Sequence, residues 1–263
     1  MSPEPSSERL LDIAISLAHD AGSLLYEKAQ RPATGIATKS SATDLVSDAD
    51  RDSERLILDG LRAQRPDDGL IGEESGGRGT ISGITWVVDP LDATVNFLFG
   101  IPWWCVSIAA LDREGDLIGV VHNPILGETF SAIRAEGAWL NGGRISVSDN
   151  DDISKALIAT GFAYPSRARE VQGVVAARVL PGVRDLRRMG SAALDLCSLA
   201  CGRVDGFFES HLEEWDKAAG RLLVREAGGS LDELDPPMEK MTPGVLASNG
   251  KIHEDLKRLV KGD

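Results

Sequence analysis

The chain has 263 residues, and 41 acidic side chains against 28 basic ones give a formal net charge of −13. That balance argues against direct nucleic-acid or anionic-membrane binding, which a basic surface would serve. The length suits one compact unit of two halves, or two small domains sharing a cleft, and no apolar run reaches membrane-spanning length.

Ser6 and Ser7 can cap a helix whose apolar face runs through Leu10, Leu11, Ile13, Ala14, Leu17, Ala18, Ala21, Leu24 and Leu25. Residues 31–39 read as a turn or short hairpin. Helical spacing resumes over Asp44–Gln64 through Leu56, Ile57 and Leu61. After the turn Pro66–Gly69, Leu70-Ile71-Gly72 leads into Glu73-Glu74, and 76–83 reads as a mobile loop. A short buried strand, Ile84–Val88, is expected to end at Asp89-Pro90. Three antiparallel strands follow at 103–111, 117–123 and 128–134, and Asn141-Gly142 marks a tight turn. Beyond a boundary near Ser146–Asp152, strands at 156–160, 184–189, 204–208 and 245–247 alternate with helices at 167–180, 191–201, 215–227 and 252–260. This places an N-terminal α+β half at 1–148 and a C-terminal α/β half at 149–263.

Met1-Ser-Pro-Glu-Pro-Ser-Ser7 has neither the basic start nor the apolar core of a signal peptide. The three cysteines, Cys105, Cys197 and Cys201, form no paired framework and read as reduced, buried thiols of a cytoplasmic protein. The four histidines (His19, His122, His211, His253) form no ligand spacing and read as surface or packing residues. There is no P-loop, no His-Glu-x-x-His and no Gly-x-Ser-x-Gly.

The chemistry concentrates in Asp89-Pro-Leu-Asp-Ala-Thr-Val-Asn-Phe97 and Trp215-Asp-Lys-Ala-Ala-Gly220. Each puts carboxylates where a helix begins. Asp89 ends a strand, and Asp92 sits three residues on, before a helix at Thr94, so both can face one point. The N–H groups of Ala93 and Thr94 are free to meet an anion there. Singly, each Asp is what a helix N-terminus ordinarily carries. Together with Glu73 they offer enough oxygens to hold two or three hard cations against a phosphate, and those cations would reverse the local field of so acidic a chain. Gly220 inside a helix marks a close approach.

These residues, with Gly72-Glu-Glu-Ser75, Gly190-Ser-Ala192 and a segment comprising Lys39-Ser-Ser and Asp44–Asp50, resemble the inositol monophosphatase family of Mg²⁺-dependent phosphatases. The resemblance implies a layered αβαβα sandwich of the α+β class, usually a homodimer, inhibited by Li⁺. It maps Glu73, Asp89, Asp92, Asp216 and the Leu91 carbonyl as ligands of two or three Mg²⁺. It makes Thr94 and Asp50 the pair that orients the attacking water, and the Ala93 and Thr94 amides the phosphate cradle. Ser191, Ala192, Glu209 and Asp216 fall on the substrate side. The implied function is hydrolysis of myo-inositol monophosphate or a related small polyol phosphate. Histidinol-phosphate phosphatase and fructose-1,6-bisphosphatase are the alternatives within the same chemistry, and a non-catalytic regulatory binding protein is the alternative outside it. The family most often has Gly where this chain has Ala93. Because the position opens a helix, only its N–H is expected to matter, with no need for a positive φ.

Overall fold

The computed structural model describes residues 6–38, 45–74 and 76–262. In chain order the elements are α1 (Ser7–Ala29), β1 (Ala37–Thr38), β2 (Leu45–Val46), α2 (Asp48–Gln64), β3 (Gly69–Gly72), β4 (Gly76–Arg78), β5 (Thr85–Asp92) and α3 (Thr94–Leu98). Then come β6 (Cys105–Asp112), β7 (Gly115–Asn123), β8 (Glu128–Ile133), β9 (Gly137–Leu140), β10 (Gly143–Arg144), β11 (Leu157–Thr160) and α4 (Ser166–Val179). The chain closes with β12 (Asp185–Arg187), α5 (Ala192–Ala200), β13 (Gly206–Glu209), α6 (Glu214–Glu226), β14 (Ser230–Leu234), β15 (Gly244–Ser248) and α7 (His253–Lys261).

Two large sheets organise the molecule. One has eight strands in the order β10-β9-β8-β7-β6-β5-β3-β4, and the other five in the order β12-β11-β13-β15-β14. Period-two alternation sends neighbouring side chains to opposite faces. Trp86 and Val88 join the core under α1 and α2, while Val87 between them joins the core under α5 and α6. In the second sheet Phe207 faces α5 and α6, and Phe208 faces the α7 side. Helices α1 and α2 cover the outer face of the first sheet, α5 and α6 fill the space between the sheets, and α4 and α7 form the last layer. This is the expected αβαβα sandwich. The expected boundary at 148–149 falls between β10 and β11, which belong to different sheets, and α5 and α6 pack on both.

Helix α1 buries the apolar stripe read from its spacing except at Leu11 and Leu24, which are only partly covered, and Ser6 caps it by accepting Arg9 N–H. Gly220 lets α6 cross α5 closely, since a Cβ there would stand 2.7 Å from Leu196 Cβ. Cys105 and Cys197 are buried, Cys201 is partly so, and all three are free thiols.

Several expectations need correction. Helix α2 begins at Asp48, because Ser47 caps it with Asp50 in a reciprocal capping box; Asp44 lies outside the described residues, as do Lys39, Ser40, Ser41 and Ser75. Residues 76–78, expected in a loop, form β4 and pair antiparallel with β3. Strand β5 does not stop at Pro90. It continues to Asp92 through a register shift against β6 between Asp89 and Asp92. A bulge tolerates the missing proline N–H, and it re-aims the side chains beside it. Strands β9, β10 and β14 were not anticipated.

Helix α1 meets β7 at a pair of imidazoles. His19 Nε2 and His122 Nδ1 lie 2.8 and 3.0 Å from Thr129 Oγ1, with ring centroids 4.4 Å apart. Burial, helped by His19, lowers the His122 pKa from 6.5 to about 4. The unfolded chain then takes up this proton before the folded one, so stability is lost as pH falls from about 6.5 toward 4. Discounted for the ring's partial exposure, the full loss is on the order of 1–2 kcal/mol. Thermal unfolding of wild type and His122→Gln at pH 7 and 4.5 should show a smaller acid loss in the variant; equal losses would count against this account.

Candidate active site

A cavity of about 380 Å³ opens where β5 ends, where α6 begins and where the chain enters α5. Glu73, Asp89, Leu91, Asp92, Ala93, Thr94, Ala192, Glu209 and Asp216 all line it. Residues far apart in sequence thus converge as the motif reading requires. Asp50 and Ser191 stand behind the wall, at 0 % exposure each.

Asp50 Oδ2 accepts the N–H and the hydroxyl of Ser47 at 2.8 and 2.7 Å. Its Oδ1 accepts the Thr94 hydroxyl at 2.7 Å. The capping box of α2 therefore fixes the carboxylate that orients Thr94. Thr94 Oγ1 also lies 3.1 Å from the Leu91 carbonyl. Asp89 Oδ1 accepts Leu91 N–H at 3.0 Å, which tightens the turn at the bulge.

Asp92 is held from the other side of the cleft. Its Oδ2 accepts Ser191 Oγ–H at 2.5 Å and Ala193 N–H at 2.9 Å, with Cys105 Sγ at 3.8 Å. Ser191 is also the N-cap of α5, accepting Leu194 N–H. Its hydroxyl thus positions Asp92, while Ala192 supplies the cavity surface. Asp216 caps α6 in the same reciprocal way, accepting Glu213 N–H at 2.7 Å.

The electrostatics are strained. Asp89 and Asp216 are pushed well above the usual carboxylate range, first by burial and then by the charges of Glu73 and Asp92. Asp89 also shares a hydrogen bond with Glu73. Burial raises Asp92 too, against the donors from Ser191 and Ala193. Glu209 is pushed up to about 8 by burial, with Arg188 opposing and Asp92 adding to the rise. Buried like charges of this kind call for protons or cations.

The donors are hard oxygens, which fit Mg²⁺. Among the described residues no three Asp, Glu, His or Cys side chains already clasp a single point. The carboxylates instead ring an open cavity. That suits an ion that keeps several waters and takes phosphate oxygens beside a few carboxylates.

Arg188 and His211 also line the cavity, and the sequence had assigned neither a site role. Arg188 stands just before the Gly190-Ser-Ala192 segment, a proximity that offered some signal. His211 offered none. It has φ 67°, and its Nδ1 accepts Thr242 N–H at 3.2 Å and lies 2.8 Å from Thr242 Oγ1, tying the cavity wall to the segment before β15.

Ala93 corrects an expectation. Its φ is 72° and ψ 48°, so the turn from β5 into α3 does require the left-handed region. An alanine there costs about 1–2 kcal/mol, and glycine gives back roughly 0.4–1 through the freer unfolded chain. Ala93→Gly should therefore raise stability by about 0.5–1 kcal/mol while any hydrolytic activity stays within a few-fold. A lower melting temperature in the variant would contradict the strain.

The model of the inositol monophosphatase family matches residues 6–262. "Nus factor SuhB" of Pasteurella multocida is 41% identical over 241 residues, covering 91% of this chain and 90% of that protein. "Inositol-1-monophosphatase" of Synechocystis is 40% identical over 258 residues, covering 94% and 87%. Among solved structures, the extragenic suppressor protein SuhB of Bartonella henselae superposes with a TM-score of 0.89 at 37% identity, covering 96% of this chain and 98% of that one. The inositol monophosphatase of Anabaena gives a TM-score of 0.83 at 35% identity, covering 97% and 96%. With the family match running over nearly the whole chain, the protein belongs to the inositol monophosphatase family.

Proposed function

We propose that this protein is a Mg²⁺-dependent phosphomonoesterase acting on myo-inositol monophosphate or a related small polyol phosphate. The observation that carries the reading is the set of four carboxylates, Glu73, Asp89, Asp92 and Asp216, around one cavity with the Thr94–Asp50 pair beside them. Glu73, Asp89, the Leu91 carbonyl, Asp92 and Asp216 would hold two or three Mg²⁺. Bound there, the ions would acidify a water and stabilise the departing oxygen.

The chain's own part is orientation. Ser47 occupies Asp50 Oδ2, so Asp50 Oδ1 is free to accept the hydrogen bond that the Thr94 hydroxyl donates. Thr94 Oγ1 then has a lone pair left to accept from water, holding it for in-line attack on phosphorus. The water oxygen would bond to phosphorus as the bond from phosphorus to the alcohol oxygen breaks, one of the water's protons passing to the departing alcohol oxygen and the other staying with the phosphate. The Ala93 and Thr94 amides would receive the phosphate oxygens. On the alcohol side Glu209 accepts hydrogen bonds from hydroxyls. Among the described residues lining the cavity, Arg188 is the one Lys or Arg, and its charge acts on Glu209.

A homodimer and Li⁺ inhibition accompany this reading. The second reading is a regulatory protein that binds a transcription partner, and it is motivated by relatives that carry the name Nus factor SuhB over 90% of their length. Phosphate release from a panel of inositol, glycerol, histidinol and fructose phosphates, with Mg²⁺ and with or without Li⁺, tests the first reading. No release from any of them would sink it and leave the second.

A further inference from the structure

Where α1 meets β7 and β8, two histidines far apart in sequence come together. His19 Nε2 stands 2.8 Å and His122 Nδ1 3.0 Å from Thr129 Oγ1, with ring centroids 4.4 Å apart. Two imidazole nitrogens thus face one point. The hydroxyl has one proton, so it can donate to one ring and accept from the other, which satisfies packing. Two further features suit a ligand. Gly22, three residues on from His19 in α1, is what admits the second ring: a Cβ there would stand 2.5 Å from His122 Cδ2. Glycine in a helix interior costs roughly 1 kcal/mol relative to alanine, so the helix gives up stability to seat His122. His19 is exposed, and with Thr129, Ser131 and Asn141 it lines an open groove of about 530 Å³, through which water and ions reach the pair.

We propose that His19 and His122 form a site for a divalent transition-metal ion of the Zn²⁺ or Cu²⁺ class, with Thr129 Oγ1 and water from the groove completing its coordination. Imidazole nitrogen suits these ions, whereas Mg²⁺ prefers hard oxygens, so the pair and the carboxylate cavity select different metals. Zn–N bonds of roughly 2.0–2.1 Å set the ligands of a tetrahedral ion about 3.3 Å apart. The nitrogen-to-hydroxyl separations of 2.8 and 3.0 Å then need to open by only about 0.3–0.5 Å. Each ring carries its proton on the outer nitrogen and turns a lone pair inward. The chain's net charge of −13 draws cations to its surface. The groove and the carboxylate cavity share no lining residue, so the inference stands apart from the phosphatase reading. A bound ion would tie α1 to β7 and β8.

Electron paramagnetic resonance of the full chain tests this, with Cu²⁺ titrated beyond equivalence in excess Mg²⁺. Wild type should give a signal coupled to two imidazole nitrogens, which added Zn²⁺ displaces and further Mg²⁺ does not. In His19→Ala and in His122→Gln the coupling should fall to one nitrogen. Cu²⁺ affinity at the site should fall roughly tenfold or more in each, since losing a ligand costs at least what losing an outer partner of a ligand does. His19 is exposed, so its truncation spares the core, and His19→Ala decides the matter if His122→Gln does not fold. No two-nitrogen signal in wild type overturns the site, and so does a signal that His19→Ala leaves unchanged. A loss on His19→Ala that a folded His122→Gln does not share marks a lone surface histidine and overturns the pair as well.

Discussion

Asp92→Asn is expected to abolish hydrolysis while leaving the fold intact. Asp92 Oδ2 accepts Ser191 Oγ–H and Ala193 N–H. An asparagine can keep both bonds by placing its amide oxygen there, so α5 stays joined to the end of β5. The other carboxylate oxygen is then replaced by an NH₂ donor. That group cannot ligate Mg²⁺, and it removes a negative charge from the cluster with Asp89 and Asp216. Loss of several kcal/mol of charge stabilisation corresponds to a drop in kcat of about a thousandfold or more. Stability without metal should hold or rise, because one buried repelling charge is gone. Phosphate-release assays with melting curves check both halves. An active variant would refute the role of Asp92, and an unfolded one would make it a structural residue.

Much of this site was legible because its residues sit in short motifs at helix starts, where local sequence governs geometry. Asp92 and Asp216 were found in this way, and only the number of such motifs raised them above ordinary caps. What escaped depends on tertiary partners or on backbone strain. Pro90 reads as a strand terminator, yet the β5–β6 bulge absorbs it. Ala93 reads as an ordinary opening residue, and only the bend from strand to helix forces it left-handed. Ser191 reads as a substrate contact, but its hydroxyl is spent on Asp92, 99 residues away in sequence. Residues 76–78 read as loop because three glycine-rich positions carry no alternating pattern; pairing with β3 makes them a strand. The layer order was recoverable only through the family resemblance, since spacing alone does not say which sheet α5 and α6 will cover.

Removing Mg²⁺ should destabilise the protein far more at pH 8 than at pH 5. Asp89, Asp92 and Asp216 are all raised in the folded state, by burial and, for Asp89 and Asp216, by neighbouring carboxylates. Unfolded, each titrates near 4. The metal-free fold therefore keeps protons that the unfolded chain releases, and its stability falls as pH rises from about 4 through the raised values. Bound cations replace those protons and cancel the loss. Two ions at a hundredfold excess over Kd contribute about 5 kcal/mol. For a chain of this size that is roughly 10–20 °C in Tm. Near pH 5 protons compete with the metal, and the gap should shrink to a few degrees. His122 works in the opposite direction, losing stability on acidification. It does so with and without metal, so it drops out of the difference between the two melting curves. The measurement is Tm against pH in Mg²⁺ and in a chelator, for wild type and Asp92→Asn. Carboxylates that only cap helices would give no metal-dependent gap at any pH, whereas a cation cage gives one that opens with pH and narrows when Asp92 is neutralised.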